Sequence, residues 1–197
     1  KDDLLKQKHS TNKYYILRHG HSLRNEKKIA SCWPEKIRCP LTKKGEKEIK
    51  KAAQELKKKK IDLIFSSDLL RTKQTAQMVA KEIGAKVIFD KRLREIDVGA
   101  FNGRPLKFAQ KAWGEPWERF EKRLPEGESY SDVKKRIYAF LKDVNVKHKV
   151  KNILIVSHEC PISLLECALK GFSSQEIVRY RGEDAIETGE WRKIEFS

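Results

Sequence analysis

Two short apolar runs, far apart in the chain, constrain the fold more than any other feature of the sequence. Tyr14-Tyr15-Ile16-Leu17 lies near the start, and Ile153-Leu154-Ile155-Val156 lies near the end. Continuous apolar runs are typical of parallel strands that are covered by helices on both faces. The first run leads into Arg18-His19-Gly20 and the second into Ser157-His158-Glu159. Because the carboxyl ends of parallel strands share one sheet edge, where ligands bind, we expect the two histidines to form one site.

Helix and strand patterns alternate between and beyond these runs, as in a layered α/β protein. We therefore predict a three-layer α/β/α sandwich with a mostly parallel central sheet. Further strands are predicted at residues 61–66, 86–90, 152–157 and, in an edge position, 191–196. Three helices are predicted to begin at capping residues: after Thr42, after Ser66-Ser67-Asp68, and after Ser129 or Ser131. Gly84 is predicted to end the second of these helices. A fourth helix is predicted from Pro161 to Lys170.

The chain of 197 residues has the length of one domain, and we predict a single domain over residues 1–197. A stretch at about residues 100–128 is interrupted by glycines and prolines. We predict that it forms a short, lid-like excursion over the sheet. Its aromatic residues are expected to form a local core rather than a substrate wall; they are Trp113, Trp117 and Phe120.

The chain is strongly basic, with 44 lysines and arginines, 28 acidic residues and a net charge of +16. Such a charge favours anionic partners in general. Lysine runs such as Lys57 to Lys60 lack the interleaved aromatic residues and motifs of nucleic-acid readers, so we interpret them as solvated faces. A surface for nucleic acid or another polyanion is the alternative interpretation.

The first twelve residues are charged and polar and contain neither a signal peptide nor a membrane span. We therefore expect a cytoplasmic protein without a membrane partner. The cysteines contain no C-x-x-C pair, which argues against a zinc site and against a disulfide framework. All four are expected to be free thiols: Cys32, Cys39, Cys160 and Cys167.

The sheet edge that carries the histidines also collects arginines. Arg18 ends the first strand, and Arg71 lies in the first turn of the helix that begins near Asp68. Free backbone N–H groups there favour an anion, and guanidinium groups bind phosphate oxygens in two-pronged fashion. A neutral imidazole can attack phosphorus and form a phosphohistidine. This inventory fits phosphoryl transfer to a histidine, and because arginines supply the positive charge we expect neither a metal nor a cofactor.

Six short motifs are spread over about residues 14 to 170. They are Arg18-His19-Gly20 with Asn25, Pro40-Leu41-Thr42-x-x-Gly45, Ser67-Asp68-Leu69-x-Arg71-x-x-x-Thr75-Ala76, Leu93-Arg94-Glu95-Ile96-x-x-Gly99, Pro125-x-Gly127-Glu128-Ser129 and Ser157-His158. Taken in this order, they resemble the histidine phosphatase superfamily, which has the phosphoglycerate mutase-like fold. The first tripeptide alone is a weak signal, whereas the ordered set is specific.

The resemblance implies a role for each basic residue at the sheet edge. His19 is implied to be the nucleophile that carries the phosphoryl group. Arg18, Arg71 and His158 are implied to surround that group and to stabilise the charge of the transition state. On this basis a small phosphorylated metabolite is the expected substrate.

The resemblance also implies roles for two further residues. Asn25 would add a hydrogen-bond donor to the phosphate pocket. Glu95 matches the family's general acid, which protonates the leaving oxygen in the first step and deprotonates water in the second. The neighbouring carboxylate of Asp97 is the alternative for this role, and Glu95 would then only pair with a nearby arginine.

The sequence departs from the family pattern at three positions. His21 follows Gly20 where relatives commonly have Glu or Gln, and we interpret it as an ordinary polar loop residue. Glu159 replaces the glycine that often follows the second histidine, and we expect its carboxylate to point away from the phosphate, toward a lysine or arginine. Asn102 replaces the acid that usually precedes Gly103, so the function of that acid is expected to be absent.

The excursion is shorter than the insertions that hold phosphoglycerate in the mutases, and the segment from Leu93 to Gly103 is more similar to the small phosphatases. Hydrolysis of a phosphomonoester is therefore the leading hypothesis. Phosphoglycerate mutase-type transfer is one alternative, and a non-catalytic module that binds phosphate ligands or polyanions is another.

The segment Cys32-x5-Arg38 has the spacing of a cysteine phosphatase loop, but we reject this function. That loop needs small residues whose N–H groups converge on phosphate, whereas Trp33-Pro34-Glu35-Lys36-Ile37 is bulky and contains a proline without an N–H.

Overall fold

The structure, a computed structural model, describes residues 11–194, apart from the side chains of residues 168 and 169. Within this range, five strands form one sheet in the order β3-β2-β4-β1-β5. All neighbouring strands are parallel except β5, which runs antiparallel to β1. The bounds are β1 Lys13–Arg18, β2 Leu63–Ser66, β3 Lys86–Phe89, β4 Asn152–Ser157 and β5 Trp191–Lys193. The predicted mostly parallel sheet is confirmed.

Helices cover both faces of the sheet, as predicted for a three-layer sandwich. Their bounds are α1 Leu23–Glu26, α2 Lys43–Lys57, α3 Leu70–Ile83, α4 Leu106–Trp113, α5 Tyr130–Lys147, α6 Glu159–Leu169 and α7 Ser174–Glu183. Short 3-10 helices lie at Lys91–Leu93, Gly99–Phe101 and Pro116–Phe120.

Alternating side chains of β1 enter two separate cores. Tyr14 and Ile16 belong to the core that includes α5 and α6, whereas Tyr15 and Leu17 belong to the core under α2 and α3. This is the pattern of a strand that is buried on both faces. Each fully buried leucine or isoleucine contributes about 1.5–3 kcal/mol to stability, so both helical layers are held firmly on the sheet.

Three of the predicted helix ends are confirmed. The Thr42 side chain accepts a hydrogen bond from the Gly45 N–H at 3.3 Å at the start of α2. The Ser129 hydroxyl accepts one from the Asp132 N–H at 3.2 Å at the start of α5. Gly84 ends α3 with a φ of 75°, a left-handed conformation that glycine adopts without a steric penalty.

The predicted capping by Ser66-Ser67-Asp68 is wrong. Helix α3 begins at Leu70, and its Leu70 N–H donates at 2.8 Å to Glu35 Oε2, a side chain from a distant loop. The predicted side chains bond elsewhere: Asp68 makes two hydrogen bonds of 2.6 Å with Arg94, and the Ser67 hydroxyl lies 2.9 Å from His158 Nε2. A loop carboxylate therefore replaces the local cap.

The end of the chain differs in part from the prediction. Strand β5 is at the sheet edge, as predicted, but ends at Lys193, and the predicted strand residues 195–196 lie outside the described residues. Helix α7 was not predicted from the sequence. Its signal is present, because Ser173 and Glu176 form a capping box at its start.

The glycine- and proline-rich excursion contains α4 and two of the 3-10 helices. Its Trp113 and Phe120 are buried in the core that includes α5, in agreement with the prediction. Trp117 contradicts it, because 60% of this residue is exposed to solvent. Trp113 also borders a cavity next to the site described below, so it is both core residue and cavity wall.

Candidate active site

The carboxyl ends of β1 and β4 bring the two predicted histidines together. The strands pair in register, with Arg18 beside Ser157, so the residues that follow them are neighbours. The His19 N–H donates to the Ser157 carbonyl oxygen at 3.1 Å. The rings of His19 and His158 are fully buried, and their centroids lie 5.3 Å apart. The strand order thus brings the two histidines into one cluster, as expected.

The surroundings of His19 leave it neutral, with one nitrogen lone pair available. Its Nδ1 lies 2.8 Å from the Gly20 carbonyl oxygen, which can only accept, so Nδ1 carries the proton. Nε2 is then unprotonated and accepts a hydrogen bond of 3.3 Å from Arg71 Nε. Burial, with the charges of Arg71 and Arg18, lowers the pKa of His19 well below its usual range. A neutral imidazole with this tautomer has the form of a nucleophile.

Arg71 is fully buried beside His19, in the first turn of α3. Its Nη1 and Nη2 donate to the hydroxyl and the carbonyl oxygen of Ser31 at 3.2 and 3.0 Å. A Glu35 carboxylate oxygen lies 3.6 Å from Nη1. Burial, followed by the charge of Arg24, lowers the pKa of Arg71 to about 10, so it remains a cation at neutral pH. It therefore offers a fixed positive charge at a helix N-terminus, where anions are favoured.

Arg18 is held by the C-terminal part of the chain. Its Nη1 donates to the Ile186 carbonyl oxygen at 2.7 Å. The Gly189 N–H lies 3.2 Å from the carbonyl oxygens of both Arg18 and His19. Within the described residues, Arg18 Nε is buried without a hydrogen-bond partner, so this donor remains available for an anion.

His158 is oriented by Ser67, a residue whose role the sequence did not reveal. The Ser67 hydroxyl accepts from the Leu69 N–H at 3.4 Å and lies 2.9 Å from His158 Nε2. The hydroxyl can then donate its proton to Nε2, which places the ring proton on Nδ1. In the described part of the chain Nδ1 is buried and has no partner. Burial, followed by the charge of Arg71, lowers the pKa of His158 well below its usual range. A neutral donor therefore remains available.

Glu95 and Asp97 have different surroundings. Glu95 is buried and borders a cavity that Ser31 and Glu159 also line, and its charge acts on Arg18 and Arg71. Its Oε1 accepts a single hydrogen bond of 3.0 Å, from the Ile96 N–H. The Asp97 carboxylate instead accepts from the Gly99 N–H at 2.8 Å and lies 3.3 Å from Cys32 Sγ. Asp97 therefore stabilises its own turn, and Glu95 is the carboxylate that borders the site.

Close backbone contact holds the Arg18-His19-Gly20 segment against α2. A Cβ on Gly20 would lie 2.7 Å from the Gly45 carbonyl oxygen, and a Cβ on Gly45 would collide with the backbone of His21. The Gly20 N–H also donates to the Thr75 hydroxyl of α3 at 3.2 Å. These contacts require glycine at positions 20 and 45 and a hydroxyl group at position 75. They explain why the three residues occur in the motifs together with His19.

Two loop residues take local roles. Asn25 Oδ1 accepts from the backbone N–H and the hydroxyl of Ser22 at 3.0 and 2.8 Å, so it caps α1 and leaves its amide nitrogen for the predicted donor role. His21 Nδ1 lies 2.9 Å from the Thr42 hydroxyl, as suits a polar loop residue.

The expectation for Glu159 is confirmed. Its carboxylate pairs with Arg181 of α7 at 2.8 Å and accepts from the Ser163 hydroxyl at 3.1 Å. The charge of Glu159, the residue after His158, is therefore balanced by Arg181. Helix α7, which the sequence analysis missed, supplies the arginine.

Asn102 has a structural role. It accepts from the Cys32 N–H at 3.2 Å and donates to the Pro34 carbonyl oxygen at 2.6 Å. Burial raises the pKa of the Cys32 thiol to about 12, so this thiol stays protonated. Both facts agree with the rejection of a cysteine phosphatase loop. The four cysteines are free and buried, as predicted.

Arg24 is a charged residue near the site that the sequence motifs do not indicate. It follows α1's first residue and borders the cavity that also contains Glu95. Its charge acts on His19, His158 and Arg71, lowering the pKa of each. No sequence signal distinguishes it, because it is one basic residue among 44 and occupies no position in the quoted motifs.

Residues 11–194 contain no group of three histidine, cysteine or acidic side chains arranged to hold a metal ion. No helix in that range has the length and apolar character needed to cross a membrane.

The family model of the histidine phosphatase superfamily, branch 1, matches residues 14–196. The chain therefore belongs to the histidine phosphatase superfamily, as its motifs predicted. It is an enzyme of a class that comprises phosphatases and mutases.

Individual relatives include both kinds of enzyme. The chain is 32% identical to "Probable phosphoglycerate mutase GpmB" of Shigella boydii over 174 residues, 85% of this chain and 79% of that protein. It is 33% identical to phosphoserine phosphatase 1 of Hydrogenobacter thermophilus over 136 residues, 66% of this chain and 64% of that protein. The solved alpha-ribazole phosphatase of Shigella flexneri shares the fold, with a TM-score of 0.76, 24% identity and coverage of 93% and 90% of the two chains.

Proposed function

We propose that this protein hydrolyses a small phosphomonoester through a phosphohistidine on His19. The observation that carries the proposal is the state of this residue: it is neutral, its Nδ1 proton is held by Gly20, and its Nε2 faces a buried arginine. This arrangement supports the proposal, because a neutral imidazole that can attack phosphorus lies beside a charge that attracts a phosphoryl group.

In the first step, Nε2 of His19 attacks phosphorus and the bond between phosphorus and the ester oxygen breaks. Arg71, the Nε of Arg18 and Nδ1 of His158 donate to the phosphoryl oxygens, whose charge they stabilise in the transition state. The protonated carboxyl of Glu95 gives its proton to the leaving oxygen, so an alcohol departs.

In the second step, water replaces the alcohol. The Glu95 carboxylate, now deprotonated, takes a proton from the water as its oxygen attacks the phosphohistidine. The bond between phosphorus and Nε2 breaks, His19 returns to its neutral form, and phosphate is released. One carboxyl group thus acts first as acid and then as base.

Two variants test the roles of the nucleophile and the acid. His19→Ala is expected to lower phosphatase activity by roughly 10³-fold or more and to remove the acid-labile phosphoenzyme. Glu95→Gln is expected to slow hydrolysis most for esters with poor leaving groups, because such groups need the proton. Asp97→Asn is the matched control and is expected to keep the wild-type dependence on the leaving group. A wild-type rate in folded His19→Ala would overturn the proposal.

The relative named as a mutase keeps phosphoglycerate mutase activity as the second candidate. Incubation with 3-phosphoglycerate distinguishes the two functions. Release of phosphate supports the phosphatase, whereas efficient conversion to 2-phosphoglycerate without phosphate release supports the mutase. Tight, steeply salt-dependent RNA binding without turnover would instead support the non-catalytic module.

A further inference from the structure

The edge of the sheet opposite the candidate site carries a dense group of lysines. The site lies at the carboxyl ends of the parallel strands, and the amino ends of the same strands form the other edge. Helices α2 and α5 end at this other edge, because each leads back from a carboxyl end to the next amino end. We call this surface the basic edge, and its lysines are Lys13, Lys57 to Lys60, Lys86, Lys147, Lys149 and Lys151.

Hydrogen bonds join two lysine runs of the basic edge that are far apart in the chain. Asn152, the first residue of β4, donates through its side-chain amide to the carbonyl oxygens of Lys59 and Lys60 at 3.1 and 3.0 Å. The Lys13 N–H donates to the Lys151 carbonyl oxygen at 2.8 Å. The end of α2, the start of β1 and the segment before β4 therefore form one continuous surface whose positions are fixed by the fold.

The charge of the basic edge is mostly not neutralised. Across residues 11–194, only two of its lysines form ion pairs: Lys57 with Glu82 at 3.0 Å, and Lys151 with Asp62 at 3.7 Å. All of its lysines except Lys59 are exposed to solvent. A concentrated positive field of this kind attracts a partner with many negative charges.

Two exposed valines lie among these lysines. Val146 is 70% exposed and Val150 is 76% exposed. Val150 also has a φ of 52°, in the left-handed region that a β-branched residue rarely adopts. The backbone is thus strained at a residue that presents an apolar side chain to water, and such strain is typical of functional positions. Stability alone would favour glycine or asparagine at position 150.

These observations favour an anionic lipid surface over a nucleic acid as the partner. The runs 57–60 and 147–151 contain seven lysines and neither an arginine nor a tryptophan, tyrosine or phenylalanine. Nucleic-acid readers instead stack bases on aromatic rings and contact base edges with arginine. Lysines with apolar side chains among them suit a membrane surface, where ammonium groups meet lipid phosphates and apolar groups enter the interface.

We propose that the basic edge binds the surface of a membrane that contains anionic phospholipids, with Val146 and Val150 at the contact. Contact at the surface needs no spanning helix. The absence of a spanning segment, on which the expectation of no membrane partner rests, therefore does not oppose it. Because the candidate site lies at the opposite edge of the sheet, the bound protein keeps that site open to solution. The proposal does not depend on the phosphatase chemistry.

Flotation with lipid vesicles tests the proposal. Vesicles of phosphatidylcholine alone are compared with vesicles of equal parts phosphatidylcholine and phosphatidylglycerol. The wild-type protein is expected to bind the mixed vesicles about 100-fold more tightly or better, since each lysine near an anionic surface contributes about fivefold in affinity. Added salt is expected to weaken this binding. Equal binding to both kinds of vesicle, or binding to neither, overturns the proposal.

A triple variant identifies the basic edge as the binding surface. Lys58→Gln, Lys60→Gln and Lys147→Gln together remove three lysines that have no acidic partner in the described part of the chain. This variant is expected to bind the mixed vesicles about 30- to 100-fold more weakly than the wild type. Circular dichroism checks that it is folded.

The matched control removes the same charge from the opposite side of the molecule. It combines Lys107→Gln, Lys111→Gln and Lys122→Gln, three exposed positions of the excursion. Its affinity for the mixed vesicles is expected to change less than about threefold, because these positions face away from the basic edge. Equal losses in the two triple variants overturn the proposal, since binding would then follow net charge alone.

Val150→Asn separates a membrane from other polyanions and does not rely on the folding of a triple variant. Asparagine tolerates the left-handed backbone, so this variant is expected to be at least as stable in urea as the wild type. Loss of the apolar side chain is expected to lower the affinity for mixed vesicles by about threefold to tenfold and to leave binding to polyuridylic acid unchanged. Unchanged vesicle affinity overturns the contact through Val150. Tighter binding of the wild type to polyuridylic acid than to mixed vesicles overturns the choice of a membrane.

Discussion

The two site histidines are held in the neutral form, so stability is expected to depend on pH. Burial and the neighbouring arginines lower the pKa of His19 and of His158. Unfolded histidine binds its proton near pH 6.5, so between that pH and the lower folded-state pKa the unfolded chain holds more protons. The free energy of unfolding is expected to fall below about pH 6.5, by up to about 1.4 kcal/mol per pH unit for each histidine. Urea unfolding between about pH 7 and pH 5 measures this decrease.

The double variant His19→Asn and His158→Asn provides the control. Asparagine keeps a polar side chain at each position and has no proton to gain in this range. The pH dependence of its unfolding free energy is expected to be shallower than that of the wild type. Identical slopes for the two proteins would show that the histidines are not held neutral by the fold.

At the same scale, the sequence predicts the residues of the candidate site more completely than it predicts how they are held. His19, Arg71 and Glu95 follow from strand ends, a helix start and motif order. The supports of Arg71 are Ser31 and Glu35, which come from a loop without a recognisable pattern. Such contacts depend on how the loop folds back onto α3, which neither hydrophobic periodicity nor capping preference specifies.

Helix α2 is an element whose position depends on the absence of a side chain at Gly45. Alanine normally stabilises a helix interior relative to glycine. Gly45 is the opposite case, because a Cβ there would collide with the His21 backbone. Gly45→Ala is expected to destabilise the protein by about 2–4 kcal/mol and to lower activity, since α2 must move away from the His19 segment. Thermal or urea unfolding with a parallel kcat measurement tests this.

Gly182 provides the matched comparison. It also lies in a helix, α7, and has open space around the position of a Cβ. Gly182→Ala is expected to stabilise the protein by about 0.5–1 kcal/mol, so the two substitutions should have effects of opposite sign. Equal effects would show that the contact between α2 and the loop is not tight.

The elements also show where sequence patterns succeed and fail. Helix α2 was predicted correctly, because its apolar stripe and its Thr42 cap are both local features. The start of α3 was predicted incorrectly, because its Leu70 N–H donates to Glu35, which lies 35 residues away in the chain. Helix α7 has few buried apolar residues, so its periodicity was weak and only its capping box indicated it.

The whole molecule carries a net charge of +16, and its substrates are expected to be anions. Long-range attraction then speeds the encounter of enzyme and substrate and is screened by salt. We expect kcat/KM for 3-phosphoglycerate to fall about threefold or more between about 0.02 M and 0.5 M potassium glutamate, while kcat stays nearly constant. Initial rates across this range of salt concentrations measure the effect.

Two lysines on the exposed side of α2 allow a control. Lys50→Glu with Lys51→Glu lowers the net charge by four, to +12, without touching the site. This variant is expected to show a smaller dependence on salt and the same kcat. A salt dependence equal to that of the wild type would locate the effect in the arginines of the pocket instead.

The hydrogen bond from Arg18 to Ile186 joins residues that are 168 positions apart. The nearby Gly189 N–H contacts the carbonyl oxygens of Arg18 and His19. During synthesis, the segment that holds Arg18 is made 168 residues after Arg18 itself. The nascent chain therefore has the proposed nucleophile long before it has the complete proposed phosphate pocket. On the proposed mechanism, phosphohistidine formation is expected to begin only when residues 186–192 have emerged.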